Sequence, residues 1–145
     1  MLSAATHAQQ SAPKEVPAKP PDDPDTGLFQ TMCHDCHDIG QVLARRRTMA
    51  EWEDVITKMI EKGLKSDGKD LETVFAYLSR NYGTVYINRA PADELVAVLT
   101  IPRKDADAIV AYRKSAGSFA DFDALKKVPG IDVKSLEQKK DAIAF

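Results

Sequence analysis

"TMCHDCHDIG", residues 31–40, holds both cysteines of a 145-residue chain and two of its three histidines. Cys33 and Cys36 stand three apart, and His37 follows at once. Four chemistries use such a cluster: a disulfide, a zinc site, a redox dithiol and a haem attachment site. The flanking sequence has to separate them.

Those flanks are helical. Leu28, Phe29 and Met32 share one face of a short helix that starts after Asp25 or Thr26 and runs into Cys33. Further on, "TMAE" at 48–51 is a capping box, with Thr48 at the N-cap and Glu51 three residues later. The helix it opens spaces Trp52, Val55, Ile56, Met59 and Ile60 helically, and Gly63 is a natural stop. A third helix carries Leu71, Val74, Phe75, Leu78 and Tyr82 and ends at Gly83. No stretch alternates with period two for long, so the expected fold is all-α.

In that setting the four readings are unequal. A Cys33–Cys36 disulfide closes a very short loop and adds little stability. A thioredoxin-like dithiol needs a βαβ setting. A structural zinc needs four ligands, usually in two separated pairs, and His7 is the only further Cys or His beyond this turn. The C-x-x-C-H spacing is the signature of c-type haem attachment: two thiols add to the two vinyl groups, and His37 faces the iron. The expected cofactor is therefore one covalent haem c on Cys33 and Cys36, with His37 as an axial iron ligand. His34, between the cysteines, is expected to face solvent.

Composition divides the chain. It is 43% apolar and 29% charged with a formal charge of −2, which is globular and predicts no general affinity for nucleic acid or acidic membranes. Residues 9–27 carry five of the eight prolines and read as an extended, solvated tether, 1–27 overall. Its start, "MLSAATHAQQ", lacks the apolar region of a full signal peptide; it reads equally as a remnant cut near Thr6-His7-Ala8 or as an ordinary flexible start. No apolar run is long enough to span a membrane. A composition change between "NYG" and "TVYIN" separates a haem domain, 28–83, from a second domain, 84–145, that lacks Cys, His, Met and Trp.

Residues 28–83 resemble a small bacterial mono-haem cytochrome c. The Arg-rich "ARRR", then "EWEDVITKMIEKG", then "YLSRNYG" follow the haem motif in the order of that type. A six-coordinate electron-transfer haem takes a second axial ligand, and methionine sulfur raises the potential. Met59 matches the methionine of the resembled pattern and is the expected ligand, with Met49 the alternative on what reads as the same helical face. Arg45, Arg46 and Arg47 are possible partners for the haem propionates, since guanidinium suits carboxylates; a solvated charge run is the plainer reading. Trp52 is expected in the core beside the haem.

The second domain repeats itself. "VLTIPRKDADAI" at 98–109 aligns with "VPGIDVKSLEQ" from 128 at an offset of 30 residues. With "INRAPADELVAVL" and the "YR…G.F….L..VPGI" run, residues 86–145 resemble the paired helix-hairpin-helix domain of competence-type DNA receptors. That resemblance implies sequence-independent binding of duplex DNA through phosphates. Each family hairpin reads Gly-hydrophobe-Gly, so that backbone N–H groups at a helix start meet a phosphate. Here the hairpins are Thr100-Ile101-Pro102 and Gly130-Ile131-Asp132. Pro102 has no N–H, and Asp132 puts a carboxylate where a phosphate would sit or caps the last helix. Arg103, Lys104, Gly130 and Lys134 are the possible phosphate contacts, in weak binding.

The functional expectation is a one-electron carrier, not an enzyme, whose second domain docks it on duplex DNA or on a redox partner protein. The alternatives are a DNA-tethering protein with an accessory or sensing haem, and an electron-accepting subunit of a dehydrogenase. Attachment of haem to two thiols takes place outside the bacterial cytoplasm in the resembled family, which implies a periplasmic or exported protein.

Overall fold

A computed structural model describes residues 21–34 and 36–145. Most of the expected tether, with its suggested cleavage site, lies outside the described residues, as does Asp35. The N-terminal half is built from α1 (Thr26–His34), the single turn α2 (Gly40–Leu43), α3 (Met49–Glu61) and α4 (Gly68–Tyr82). The capping box forms as written. Glu51 N donates to Thr48 Oγ1 at 3.3 Å, and Thr48 N donates to Glu51 Oε2 at 2.8 Å. Asp67 caps α4 by accepting Asp70 N at 2.8 Å.

Phe29, Trp52, Val74, Tyr77, Leu78 and Tyr82 make the N-terminal core. Phe29 stacks on Tyr77 with centroids 4.8 Å apart, which pins α1 to α4. Each buried aromatic removes roughly 150–250 Å² from water, so these rings hold much of a small core together. Trp52 Nε1 donates to Tyr82 O at 3.2 Å, leaving its one polar atom satisfied while the residue is fully buried.

The C-terminal half contains α5 (Ala92–Leu99), α6 (Arg103–Ala116), α7 (Phe122–Leu125) and α8 (Val133–Gln138). It departs from the all-α expectation by one parallel strand pair. β1 (Val85–Tyr86) aligns with β2 (Ile143–Ala144), Val85 opposite Ile143 and Tyr86 opposite Ala144. Two residues per strand are too few to leave an alternating pattern in sequence. Leu95, Val98, Leu99, Ile109, Leu125 and Leu136 form the centre of this second core. Asn88 closes it, donating to Phe119 O at 2.9 Å and accepting Phe119 N at 2.7 Å.

The two halves meet along the end of α4. Arg47 N donates to Tyr82 O at 3.1 Å, and Thr84 N donates to Arg47 O at 2.8 Å. Gly83 sits inside this seam. A Cβ there would lie 1.9 Å from Ser79 O and 3.0 Å from Val98 Cγ1. Backbone cannot yield as a flexible side-chain tip can, so Gly83→Ala is expected to cost about 1–3 kcal/mol. Chemical denaturation checks this, and a neutral result would show that the seam is looser than described.

An ionic clasp ties the segment before α1 to the end of α4. Arg80 grips Asp23 through Nε at 2.7 Å and Nη2 at 2.6 Å, and also reaches Asp25 at 2.6 Å. Asn81 adds a bond to Asp23 at 2.8 Å, and Lys139 Nζ donates to Arg80 O at 2.7 Å. The hydrogen bonds from Arg80 hold the Asp23 carboxyl well below its usual range, against the opposing effect of burial. The folded pKa is depressed, so the clasp stabilises the protein fully above the unfolded value near 3.9 and loses that contribution as pH falls below it. Asp23→Asn is therefore expected to lower stability at pH 7 and to flatten its decline below about pH 4. Melts across pH 2–7 read this directly.

Candidate functional site

The chain around Cys33 and Cys36 opens onto an apolar cleft. Its volume is about 280 Å³, near the lower end of the range of small-molecule and cofactor sites. Cys33, Cys36, His37 and Met59 all line it. The remaining wall is mostly hydrocarbon, including Phe29, Val42, Ile56, Leu71 and Leu78. Two helices bring the donors together. α1 ends at His34, so Cys33 sits on its last turn, while Cys36 and His37 lie in the turn that follows.

Met59 comes from the end of α3, where the chain stops in a Schellman motif. Leu64 N donates to Met59 O at 2.9 Å and Gly63 N donates to Ile60 O at 3.0 Å. Gly63 takes φ +104°, a conformation that favours glycine. The motif draws Leu64 over Met59, and both reach the cleft.

His37 Nδ1 donates to the Asp38 carbonyl at 3.0 Å. A carbonyl only accepts, so in the neutral ring the proton sits on Nδ1 and Nε2 is the nitrogen that could meet a metal. Both cysteines are free thiols. Burial pushes Cys33 up to about 11. A redox dithiol needs a thiolate favoured by its surroundings, so this burial opposes that reading. Among the described residues, no three Cys, His, Asp or Glu side chains gather as a metal site. Two free thiols, an imidazole and a thioether around an open apolar cleft fit a covalent haem.

Several expected neighbours lie elsewhere. Met49 packs against the C-terminal core and does not line the cleft. Ten residues at 100° each leave it about 80° away from Met59, so the shared face read from sequence is corrected. Trp52 is buried in the N-terminal core but is absent from the cleft wall. None of the three arginines reaches the cleft. Arg46 Nη1 donates to Gly83 O at 3.1 Å and Asn81 O at 3.3 Å. Arg47 donates to Val42 O and lies over the Trp52 ring at 4.7 Å. Arg45 makes an exposed pair with Glu51 at 3.7 Å. Arg46 thus holds the end of α4, Arg47 caps α2, and Arg45 stays on an exposed flank. His34 is exposed and off the cleft wall.

The hairpins form a second candidate surface. Thr100 adopts φ +54° and Gly130 φ +77°, so both repeats keep a left-handed residue at the same place. Ile101 and Ile131 follow as the inward hydrophobes. The loss of the first glycine therefore leaves the turn intact, at some conformational cost.

The phosphate-facing groups differ between the hairpins. Pro102 stands at the N-cap of α6 without a side-chain cap, and the Arg103 and Lys104 amides take no acceptor among the described residues. The second helix start is closed. Asp132 Oδ1 accepts Lys134 N at 3.1 Å and Ser135 N at 3.3 Å, and Asp132 N donates to the buried Asp105 Oδ2 at 2.9 Å. Gly130 thus shapes the turn, but the amides beyond it are taken. Arg103 is held between Asp93 and Asp107, so its charge is largely neutralised as a phosphate contact. Lys104 and Lys134 are exposed and enter no ion pair among the described residues.

Comparison with known proteins places this second surface. Residues 80–144 match the helix-hairpin-helix motif family. An uncharacterized protein of Haemophilus influenzae is 43% identical over 60 residues, 41% of this chain and 54% of that protein. ComE operon protein 1 of Bacillus subtilis is 39% identical over 59 residues, 41% of this chain and 29% of that protein. The chain spans about half or less of the curated relatives it matches. No solved structure matches it significantly. The C-terminal half is a helix-hairpin-helix domain. No described helix is long and apolar enough to cross a membrane.

Proposed function

We propose that this chain is a helix-hairpin-helix protein that engages duplex DNA weakly and carries one covalent haem c in its N-terminal half. The family match and the likeness to ComE operon protein 1 support the DNA-engaging part, and they favour it over a plain electron carrier. One observation carries the haem part: Cys33, Cys36, His37 and Met59 line a single apolar cleft. Bound there, a haem c supplies a one-electron couple. Cys33 and Cys36 would hold it covalently, and His37 and Met59 would ligate its iron. The hydrocarbon wall would keep water from the iron, which favours electron transfer over ligand exchange. The chain itself is proposed to turn over no substrate and to work outside the cytoplasm.

On the DNA side, the closed second hairpin leaves side-chain cations as the main phosphate contacts. Binding is expected to be independent of sequence, roughly micromolar or weaker at physiological salt, and steeply salt-dependent. The pair Lys104→Glu with Lys134→Glu is expected to abolish it and leave the haem spectrum unchanged. Titration of duplex DNA at two salt concentrations tests this. Tight, salt-insensitive binding would contradict it. A complete absence of binding at low salt would favour the second reading, docking on a redox partner protein, which fits the amides taken by Asp132 and the Arg103 ion pairs.

A further inference from the structure

The cleft wall holds one charged side chain that the sequence reading passed over. Lys62 lines it with Met59 and Leu64, and among the described lining residues it is the only one with a permanent positive charge. The Schellman motif fixes its place. Lys62 is the C-cap of α3, its N–H donates to Lys58 O at 3.2 Å, and Gly63 turns the chain immediately after it. Lys62 therefore follows Met59 by three residues on one helical face. As a whole the residue is exposed while still contributing to the wall. That combination is what a lysine shows when its stem lies on apolar surface and its ammonium stays at the wet edge.

A haem carries two propionate carboxylates, and an apolar cleft offers them nothing. None of the arginines that suited them by chemistry lines the cleft: Arg46 donates to the end of α4, Arg47 to Val42 O, and Arg45 pairs with Glu51. The geometry points to Lys62 as the residue that pairs with a haem propionate, and so as a determinant of the reduction potential. This rests on the haem reading proposed above. The plainer role for Lys62 is a cation at the C-terminus of α3, where the helix dipole favours it. Such a role would affect helix stability and would leave the potential alone.

The experiment is redox potentiometry on the haem-loaded full chain, with Lys62→Gln, Lys62→Arg and the control Lys58→Gln. Lys58 sits one turn earlier, exposed and paired with Asp54 at 2.7 Å. Loss of a positive charge beside the haem favours the oxidised state. Lys62→Gln is expected to shift the one-electron equilibrium toward oxidised by about three- to tenfold, where tenfold corresponds to 59 mV. Lys62→Arg should stay within about twofold of wild type, and so should Lys58→Gln. Equal potentials for wild type and Lys62→Gln, with the sulfur-to-iron band intact, would overturn the assignment. Equal shifts in Lys62→Gln and Lys58→Gln would also overturn it, since they would show a general charge effect. A wild-type protein with no haem spectrum would instead overturn the haem reading, so the two failures are distinct.

Discussion

Changing Cys33 and Cys36 together to alanine is expected to give a protein without covalent haem, even when a haem maturation system is co-expressed. The chain has no other thiol, and a thioether cannot form without one. Both cysteines line the same cleft, and the chain has no third to replace either. The visible spectrum should fall from one haem per chain to none. Without its filler, the apolar cleft of the N-terminal half stays open, and that half should become protease-sensitive. The C-terminal domain has its own core around Leu95, Leu99 and Leu125 and should stay folded. A single change, at either position, leaves one attachment point and should lower haem content without abolishing it. Unchanged covalent haem in the double variant would rule out these cysteines as the anchors.

The second large effect is expected at Met59, which is proposed to ligate the haem iron. Met59→Ala should remove the weak sulfur-to-iron band at the red end of the oxidised spectrum and lower the potential. The fall should be on the order of a hundred millivolts or more, since axial-ligand identity spans about 0.8 V. Met49→Ala should leave both the band and the potential in place. Its side chain packs on the C-terminal core, so its loss should appear as about 2 kcal/mol of stability instead. If the two variants exchange these phenotypes, the ligand assignment is wrong.

Much of this site is legible in the sequence because its parts are local. The C-x-x-C-H turn, the Thr48–Glu51 box and the Gly63 stop each depend on residues within one or two turns of each other. The structure forms the box and places Gly63 in the left-handed conformation that the stop requires. Met59 and Met49 were harder to separate, because an apolar stripe shows which residues are inward but not which core they meet. Two cores touch α3, and only the tertiary arrangement sends Met49 to one and Met59 to the cleft beside the other.

The arginine run is less legible for a related reason. A guanidinium suits a propionate and a carbonyl alike, and nothing local shows that Arg46 will find Gly83 O. Lys62 was missed because a lysine at a helix C-terminus already has an ordinary explanation. The i, i+3 spacing from Met59 was the available signal. In the hairpins, the offset of 30 residues placed Thr100 on Gly130, and the structure gives both a positive φ. The Asp105–Asp132 contact spans the two hairpins and could not be read from either. It also leaves Asp105 Oδ1 buried with no partner among the described residues, a cost the domain accepts in joining its two helix starts.

The most direct test of the central claim is the intact mass of the denatured wild-type protein, expressed with a haem maturation system. The expected mass is that of the polypeptide plus one haem, with the added mass on the peptide containing Cys33 and Cys36. A bare polypeptide mass, or haem that leaves into acid-acetone, would contradict it.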